Sequence, residues 1–304
     1  MTERYLLSGE NPRKPTYAFL KTMCEGNTAM TYKMAHEIFG REIVQKTISL
    51  LGMGDALAGS EPRMLDSIRH PHIVEVREAQ WTPDPIGGLD LRLITFVMPF
   101  YSGGSISDAL DDAGAFSNSA ALAIADGLMQ ALHYLHTERR ILHRDVKPAN
   151  IFLGSDRRYP YLGDLGSAAE MAADGSASPA AGTLLYRAPE LADGRYTNLS
   201  DLYSAGMTLL EVFGGPLPYE QFDALEVDSR LQRGARAVPD RWYTTLPVTV
   251  PTAIARLIMK LTASDPARRP QTAAEALAIL SRVVVMDWTA GELPGEVIGA
   301  WAPS

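Results

Sequence analysis

The sequence predicts an α+β fold built as two lobes, with a strand-rich first third followed by a helix-rich remainder. Residues 43–48 (IVQKTI) are β-branched and alternate in part, and residues 91–100 are almost entirely apolar, as in a buried strand. After Gly103-Gly104-Ser105 the apolar residues recur every three or four positions, most clearly over residues 120–136, which predicts helices. A chain of 304 residues is long enough to give each lobe a core of its own.

The elements can be assigned in chain order. Residues 1–16 are polar and contain two prolines, so we expect an extended arm, followed over residues 17–76 by short strands and one helix near residues 61–69. The turn-rich residues 82–90 (TPDPIGGLD) are expected to join two antiparallel strands. Three more helices are expected at residues 200–213, 251–261 and 273–284.

These elements divide the chain into four parts. We expect the first lobe at residues 17–98 and the hinge at residues 99–104. The second lobe is expected at residues 105–284 and the tail at residues 285–304. A crevice that binds a ligand would lie between the lobes, close to the hinge.

Composition excludes several classes of function. A formal net charge of -8 provides no basic field that would attract nucleic acid. Cys24 is the only cysteine, so neither a disulfide framework within the chain nor a cysteine zinc site is available, and the reducing cytoplasm is the expected location. The first residues lack the pattern of a secretory signal, and no apolar run approaches the roughly 18 residues of a membrane span. We therefore expect no direct membrane insertion.

The most informative pattern is HRDVKPAN at residues 143–150, followed by Asp164-Leu165-Gly166. Asp145 would accept or orient the proton of an attacking hydroxyl, and Lys147 would neutralise charge on a transferred phosphoryl group. Asn150 and Asp164 offer the oxygen ligands that Mg²⁺ prefers. This set suits transfer of a phosphoryl group from ATP to a hydroxyl. The alternative for either motif is a solvated polar turn, but the whole set in this order seldom arises by chance.

The two motifs resemble the catalytic loop and the metal loop of eukaryotic-type (Hanks-type) serine/threonine protein kinases. The resemblance covers about residues 17–284 and implies a bilobal protein-kinase-like fold. Its N-lobe would be an antiparallel sheet with one regulatory helix, and its C-lobe mainly helical. ATP and Mg²⁺ are the implied cofactors, with Mn²⁺ as an alternative metal.

The resemblance also implies where the nucleotide binds. Lys46 would anchor the phosphates, paired with Glu61 at the start of the following helix, where Pro62 is tolerated only in the first turn. Gly26 is the one glycine kept at the three positions where the phosphate-covering loop favours it. The full set of implied nucleotide contacts is Gly26, Val44, Lys46, Glu61, Met98, Tyr101, Phe152 and Asp164.

The substrate class follows from the same resemblance. Lys147 and Thr183 are similar to residues of kinases that phosphorylate Ser or Thr hydroxyls of proteins. Arg144 resembles an arginine that receives a phosphate on the activation loop. Ser176 and Ser178 are the best-placed acceptors, and Thr183 a further regulatory candidate that would face the substrate. Autophosphorylation is the expected result, with a homodimer as the expected encounter between two copies.

Two structural pairings are implied as well. Glu190, in Ala188-Pro189-Glu190, would pair with Arg269 and hold the helical lobe together. Asp201 would brace the backbone of the catalytic loop, cap its helix, or do both. His143 is expected to pack inward, without acid–base work.

Two other classes of function remain open. A pseudokinase that binds ATP or serves as a scaffold would lack at least one of Lys46, Asp145, Asn150 and Asp164, and none is missing. The sparse glycine loop and Pro62 favour it nonetheless. A small-molecule kinase, such as an antibiotic phosphotransferase, would lack Lys147 and the segment of residues 188–190.

Overall fold

The computed structural model describes residues 17–25, 29–49, 67–84, 91–114, 116–178, 184–214, 217 and 250–283. Contacts divide the chain into two compact units. The first consists of Met1–His70 and Val74–Ser102, and the second of Pro71–Ile73 and Gly103–Ser304. None of the helices in the described ranges has the length and apolar character that a bilayer-spanning segment needs.

The first unit contains a five-stranded antiparallel sheet in the order β1-β2-β3-β5-β4. Its strands are β1 (Tyr17–Glu25), β2 (Ala29–His36), β3 (Glu42–Ser49), β4 (Glu78–Asp84) and β5 (Leu91–Pro99). The predicted strands at residues 43–48 and 91–100 are confirmed. The turn predicted from residue 82 starts too early, because Thr82, Pro83 and Asp84 still pair with β5. Proline is tolerated there since β4 is an edge strand.

A small core cluster closes one face of this sheet. Tyr17, Met34, Ile43 and Val97 pack together, although they come from four different strands. The phenol of Tyr17 on β1 donates to Glu78 of β4 at 3.2 Å, so the sheet coils enough to bring its two edge strands into contact. Burial and the neighbouring Glu78 carboxylate raise the pKa of Tyr17 to about 12.

The described helices of the second unit follow the predicted periodicity. They are α1 (Ile106–Ala113), α2 (Asn118–His133), α3 (Asn198–Val212), α4 (Thr252–Leu261) and α5 (Ala273–Leu280). Hydroxyl side chains cap the N-termini of α1, α2, α3 and α5, as expected of Ser and Thr. The α+β class, an antiparallel sheet followed by helices, is confirmed.

The predicted helix ends differ in detail. The helix predicted over residues 120–136 begins at Asn118 and continues as a π-helical turn over Tyr134–Arg139. The last helix ends at Leu280 and not at residue 284, where a β-branched valine run lowers helix propensity. Of the helix predicted near residues 61–69, only residues 67–69 are described, and they form a turn and irregular chain.

Two short strand pairs frame the HRDVKPAN motif. β6 (Ile141–Leu142) precedes it and pairs with β9 (Ala169–Glu170). β7 (Ile151–Leu153) follows it and pairs with β8 (Pro160–Leu162), so these two strands form a hairpin. The motif therefore spans a loop that is fixed at both ends by strand pairing.

Candidate active site

The catalytic loop brings three predicted residues into one cluster. The Asp145 carboxylate accepts from Lys147 Nζ at 2.8 Å and from Asn150 Nδ2 at 2.8 Å, both at Oδ2. Asn150 Nδ2 also donates to the Asp145 backbone carbonyl at 2.8 Å. The side chain of Asp145 is 15% exposed, so the carboxylate is accessible at the surface of the loop but held by two donors.

Asp164 lies at the same end of the β7–β8 hairpin as Asn150. Ile151 pairs with Leu162, and the next amide, that of Gly163, donates to the Asn150 carbonyl at 2.8 Å. Asp164 follows directly, and its side chain is exposed. The hairpin register thus places two oxygen-bearing side chains, an amide and a carboxylate, beside each other in the second unit.

The backbone at Asp164 is unusual. Its φ of 55° and ψ of 66° are left-handed, a conformation that costs a non-glycine residue roughly 1–2 kcal/mol. Such strain persists where the surroundings impose it, and it clusters at functional sites. Gly166, two residues later, is the residue type that usually takes such angles. It lies in an ordinary 3-10 turn over Leu165–Ser167, however, and the strained residue is the aspartate itself.

His143 ties the catalytic loop to the loop that carries Asp164. Its imidazole is fully buried, and Nε2 donates to the Gly163 carbonyl at 3.0 Å. Nδ1 accepts from the Asp145 amide at 3.3 Å. The prediction that His143 packs inward under the loop is confirmed, and its two bonds fix the spacing between the two motifs.

The buried carboxylate of Asp201 binds the backbone of the catalytic loop. Its carboxylate accepts from the His143 and Arg144 amides at 2.8 and 2.9 Å, which confirms the predicted brace. It also accepts from His136 Nε2 at 2.8 Å and from Tyr196 Oη at 2.7 Å. The alternative role as a helix cap is wrong, because the N-cap of α3 is Thr197.

The charge of Asp201 is stabilised inside the fold. Burial raises the pKa of this carboxyl, but the bond and charge of His136, the charge of His143 and the bond from Tyr196 outweigh burial. The pKa of Asp201 is therefore below its ordinary value, and the carboxylate form is the one that the fold binds.

Asp201→Asn is expected to destabilise the chain at pH 7 by about 2 kcal/mol or more, since a buried amide would face donors that need an acceptor. The pKa of Asp201 is lower folded than unfolded, so its stabilisation is complete above the unfolded pKa of about 4. It is lost as the pH falls through the lower, folded pKa. Urea unfolding should give a difference between the proteins that is constant near pH 7 and shrinks below about pH 4. A difference unchanged down to about pH 3 would contradict this.

The predicted pair of Glu190 and Arg269 is confirmed. Arg269 Nη1 lies 2.7 Å from Glu190 Oε1, and Nη2 lies 2.8 Å from Oε2, a bidentate arrangement. The guanidinium also lies over the Tyr203 ring, 4.8 Å from its centroid. Arg269 is 3% exposed, so the pair fastens the segment of residues 188–190 to the interior of the second unit.

In the first unit, three of the predicted nucleotide contacts share one face of the sheet, namely Val44, Lys46 and Met98. Val44 pairs with Met98 and Lys46 with Phe96, and residues directly opposite in an antiparallel pair project to the same side. Lys33, opposite Val44 on β2, belongs to this face as well. Val44 and Lys46 lie two positions apart on β3, so their side chains project to the same side of the strand.

Lys33 has contacts that the sequence analysis missed. Its ammonium lies 3.8 Å from the centroid of the Phe100 ring, in the predicted hinge, and 2.7 Å from Glu42 Oε1. Tyr101 follows Phe100 and is half-buried. No motif marks Lys33, since its two partners, Glu42 and Phe100, come from separate stretches of the chain.

Three predicted site residues, Gly26, Glu61 and Thr183, lie outside the described residues. Ser176 and Ser178 are described. Ser176 Oγ donates to Asp174 Oδ1 at 2.6 Å, and the Ser178 carbonyl accepts from Arg144 Nη1 at 2.7 Å.

The donor set fits a hard cation. Within the described ranges, no three His, Cys, Asp or Glu side chains gather as a self-contained metal site. One carboxylate and one amide oxygen, from Asp164 and Asn150, match the sparse protein ligation of Mg²⁺, which keeps waters and substrate phosphates as its other ligands.

Known proteins with similar sequences agree with this arrangement. The protein kinase domain, as a family profile, matches residues 17–280. Serine/threonine-protein kinase ULK3 of Mus musculus is 30% identical over 266 residues, which cover 85% of this chain and 53% of that protein. Serine/threonine-protein kinase Nek3 of Oryza sativa subsp. japonica is 30% identical over 263 residues, 84% of this chain and 42% of that protein.

The chain spans about half the length of the curated relatives it matches. The profile match runs from the first strand of the sheet to the last residue of α5 and includes every described motif of the candidate site. The chain belongs to the protein kinase family.

Proposed function

We propose that this chain is an ATP-dependent protein kinase that transfers the γ-phosphoryl group to Ser and Thr hydroxyls of protein substrates. The observation that carries the proposal is the cluster of Asp145, Lys147 and Asn150 at the end of the hairpin that leads to Asp164. The names of the relatives, serine/threonine-protein kinases, support the substrate class.

Asp145 is the proposed proton acceptor. Its carboxylate would orient the substrate hydroxyl and take the proton as the oxygen attacks the γ-phosphorus. The Lys147 ammonium, 2.8 Å from Asp145 Oδ2, would supply positive charge to the phosphoryl group as negative charge grows on it. Both donors that hold Asp145 also orient its carboxylate before substrate arrives.

Asn150 and Asp164 are the proposed metal ligands. The amide nitrogen of Asn150 donates to Asp145, so the amide oxygen is the atom that would bind a cation. Asn150 and Asp164 would hold Mg²⁺, or Mn²⁺ in its place, which would supply positive charge against that of the nucleotide phosphates. The protein supplies the positions of the two oxygens through the β7–β8 register.

The remaining predicted residues bind the nucleotide in this proposal. Val44 and Met98 would contact the purine from one face of the sheet. Phe152 is a further proposed contact of the purine. Lys46 would contact the phosphates, with Glu61 as its partner and Gly26 in the loop above them. Tyr101 would offer its backbone to the adenine.

Regulation and location complete the proposal. Ser176, Ser178 and Thr183 are the proposed phosphorylation sites, with autophosphorylation between two copies of the chain. The cytoplasm is the proposed location, which fractionation of the native cells would test.

A pseudokinase is the second candidate, and the sparse glycine loop is the feature that favours it. The test supplies Mg²⁺ and γ-labelled ATP with matched peptides that carry Ser, Thr or Tyr as acceptor, and with an aminoglycoside. We expect label on the Ser and Thr peptides alone. A thermal shift with Mg-ATP but no label on any acceptor would assign the chain to the pseudokinases, and label on the aminoglycoside to the small-molecule kinases.

A further inference from the structure

The segment that follows the metal loop is held by Arg144. This residue adopts a φ of 66°, and its guanidinium donates to the backbone carbonyls of Ser167, Ala168 and Ser178. The bond to Ser178 is 2.7 Å long. We call residues 167–178 the anchored segment.

Tyr196 holds the same segment from the other side. Its backbone exchanges two hydrogen bonds with Ala177, at 2.9 and 3.1 Å, and its hydroxyl donates to Asp201 Oδ1 at 2.7 Å. Tyr196 is 3% exposed. Since Asp201 also accepts from the Arg144 amide, the contacts close a ring through Arg144, the anchored segment, Tyr196 and Asp201. The ring ties the segment to the catalytic loop.

A carboxylate already occupies the neighbourhood of Ser176. Asp174 accepts from Ser176 Oγ at 2.6 Å and from the Ser176 amide at 3.0 Å. It also lies 2.8 Å from Arg195 Nη2. The two bonds from Ser176 lower the pKa of Asp174. Negative charge is thus present beside Arg195 in the unmodified chain.

We infer that Arg144 and Tyr196 act as positioning residues that hold the anchored segment against the catalytic loop without a phosphate group. Phosphoryl transfer by this chain therefore does not require prior phosphorylation of Ser176 or Ser178. The inference rests on the proposed kinase function and specifies its regulation.

The chemistry of the guanidinium carries the inference. Three of the five N–H donors of Arg144 already bond to backbone carbonyls of the anchored segment, so this arginine holds the segment without a phosphate. A phosphate on Ser176 would also be repelled by the like charge of the Asp174 carboxylate, which already pairs with Arg195. Autophosphorylation at these serines is then a consequence of activity and not its condition.

The first test uses the full chain after phosphatase treatment, with intact mass showing that no phosphate remains. We expect initial rates on a Ser peptide within about twofold of the untreated chain, without a lag. The variant with both Ser176→Ala and Ser178→Ala should give the same initial rate as the phosphate-free chain. Ser178 binds Arg144 through its backbone carbonyl, which the substitution keeps, and the side-chain contact of Ser176 is exposed. A loss of about tenfold or more, or a lag removed by preincubation with ATP, would overturn the inference.

A second readout does not depend on catalysis. In hydrogen exchange of the phosphate-free chain, the Ala177 amide should be protected, because it is bonded to the Tyr196 carbonyl. Exchange of that amide at the rate of an unfolded peptide would overturn the inference even in an active enzyme. A chain inactive in every phosphorylation state but protected at Ala177 would count against the kinase function instead.

Tyr196→Phe tests the positioning role itself. It removes the bond to Asp201 and keeps the ring and the backbone pair with Ala177. We expect kcat to fall about tenfold with KM for ATP unchanged, because the loop shifts while the nucleotide contacts remain. The control is Tyr159→Phe, at an exposed tyrosine of the β7–β8 turn, which should leave both constants unchanged. Equal kcat in Tyr196→Phe and the wild type would show that Tyr196 is not a positioning residue.

Discussion

Asp145→Asn is expected to lower kcat for phosphoryl transfer about 100- to 10,000-fold, with little change in KM for ATP. The substitution removes the proton acceptor but keeps the size of the side chain and its ability to accept a bond from Asn150. The nucleotide contacts of the first unit do not involve Asp145, so binding of Mg-ATP should persist. Initial rates on a Ser peptide, together with a thermal-shift titration, measure both quantities.

The control for this variant is Asp156→Asn. Asp156 is exposed in the turn between β7 and β8, where its carboxylate accepts from the Arg158 amide. It lies on the same hairpin but at the end away from Asn150, so kcat should be unchanged. If Asp145→Asn kept more than about a tenth of the wild-type kcat, Asp145 would not be the proton acceptor.

Asp164→Asn is expected to lower the rate about 1000-fold at millimolar Mg²⁺ and to weaken the Mg²⁺-dependent part of nucleotide binding. A neutral amide cannot supply the charge with which a carboxylate holds a divalent cation. This outcome differs from that of Asp145→Asn, in which Mg-ATP still binds. Rates measured over a range of Mg²⁺ concentrations separate the two.

The matched control is Asp111→Asn, at an exposed aspartate of α1 that is not a proposed metal ligand. Its rate should follow the same Mg²⁺ dependence as the wild type. If Asp164→Asn also showed the wild-type dependence, Asp164 would have no part in metal binding.

The sequence predicted best where function depends on nearby residues. Asp145, Lys147 and Asn150 lie within six positions, and a hairpin of short strands carries the chain directly to Asp164, so the cluster could be inferred without tertiary information. The strand at residues 43–48 was predicted from its β-branched residues, and its alternation puts Val44 and Lys46 on one side.

Features that depend on distant partners could not be predicted. The Tyr196 hydroxyl and His136 converge on Asp201 from separate elements, and no local pattern marks either residue. The cap of α3 was misassigned for a similar reason, because Asp201 and Thr197 are both good capping residues and only the observed helix start separates them. The left-handed backbone at Asp164 could not be predicted either, since glycine and not aspartate is the residue that usually takes such angles.

Binding of Mn²⁺ in the presence of ADP, measured by electron paramagnetic resonance, tests most directly whether Asn150 and Asp164 converge on one cation. The wild type is expected to bind Mn²⁺ more tightly with ADP than without it. Asp164→Asn should lose this gain, and Asn150→Ala should lose part of it. Wild-type Mn²⁺ affinity in both variants would show that the two side chains do not share a metal, and the account of the active site would be wrong.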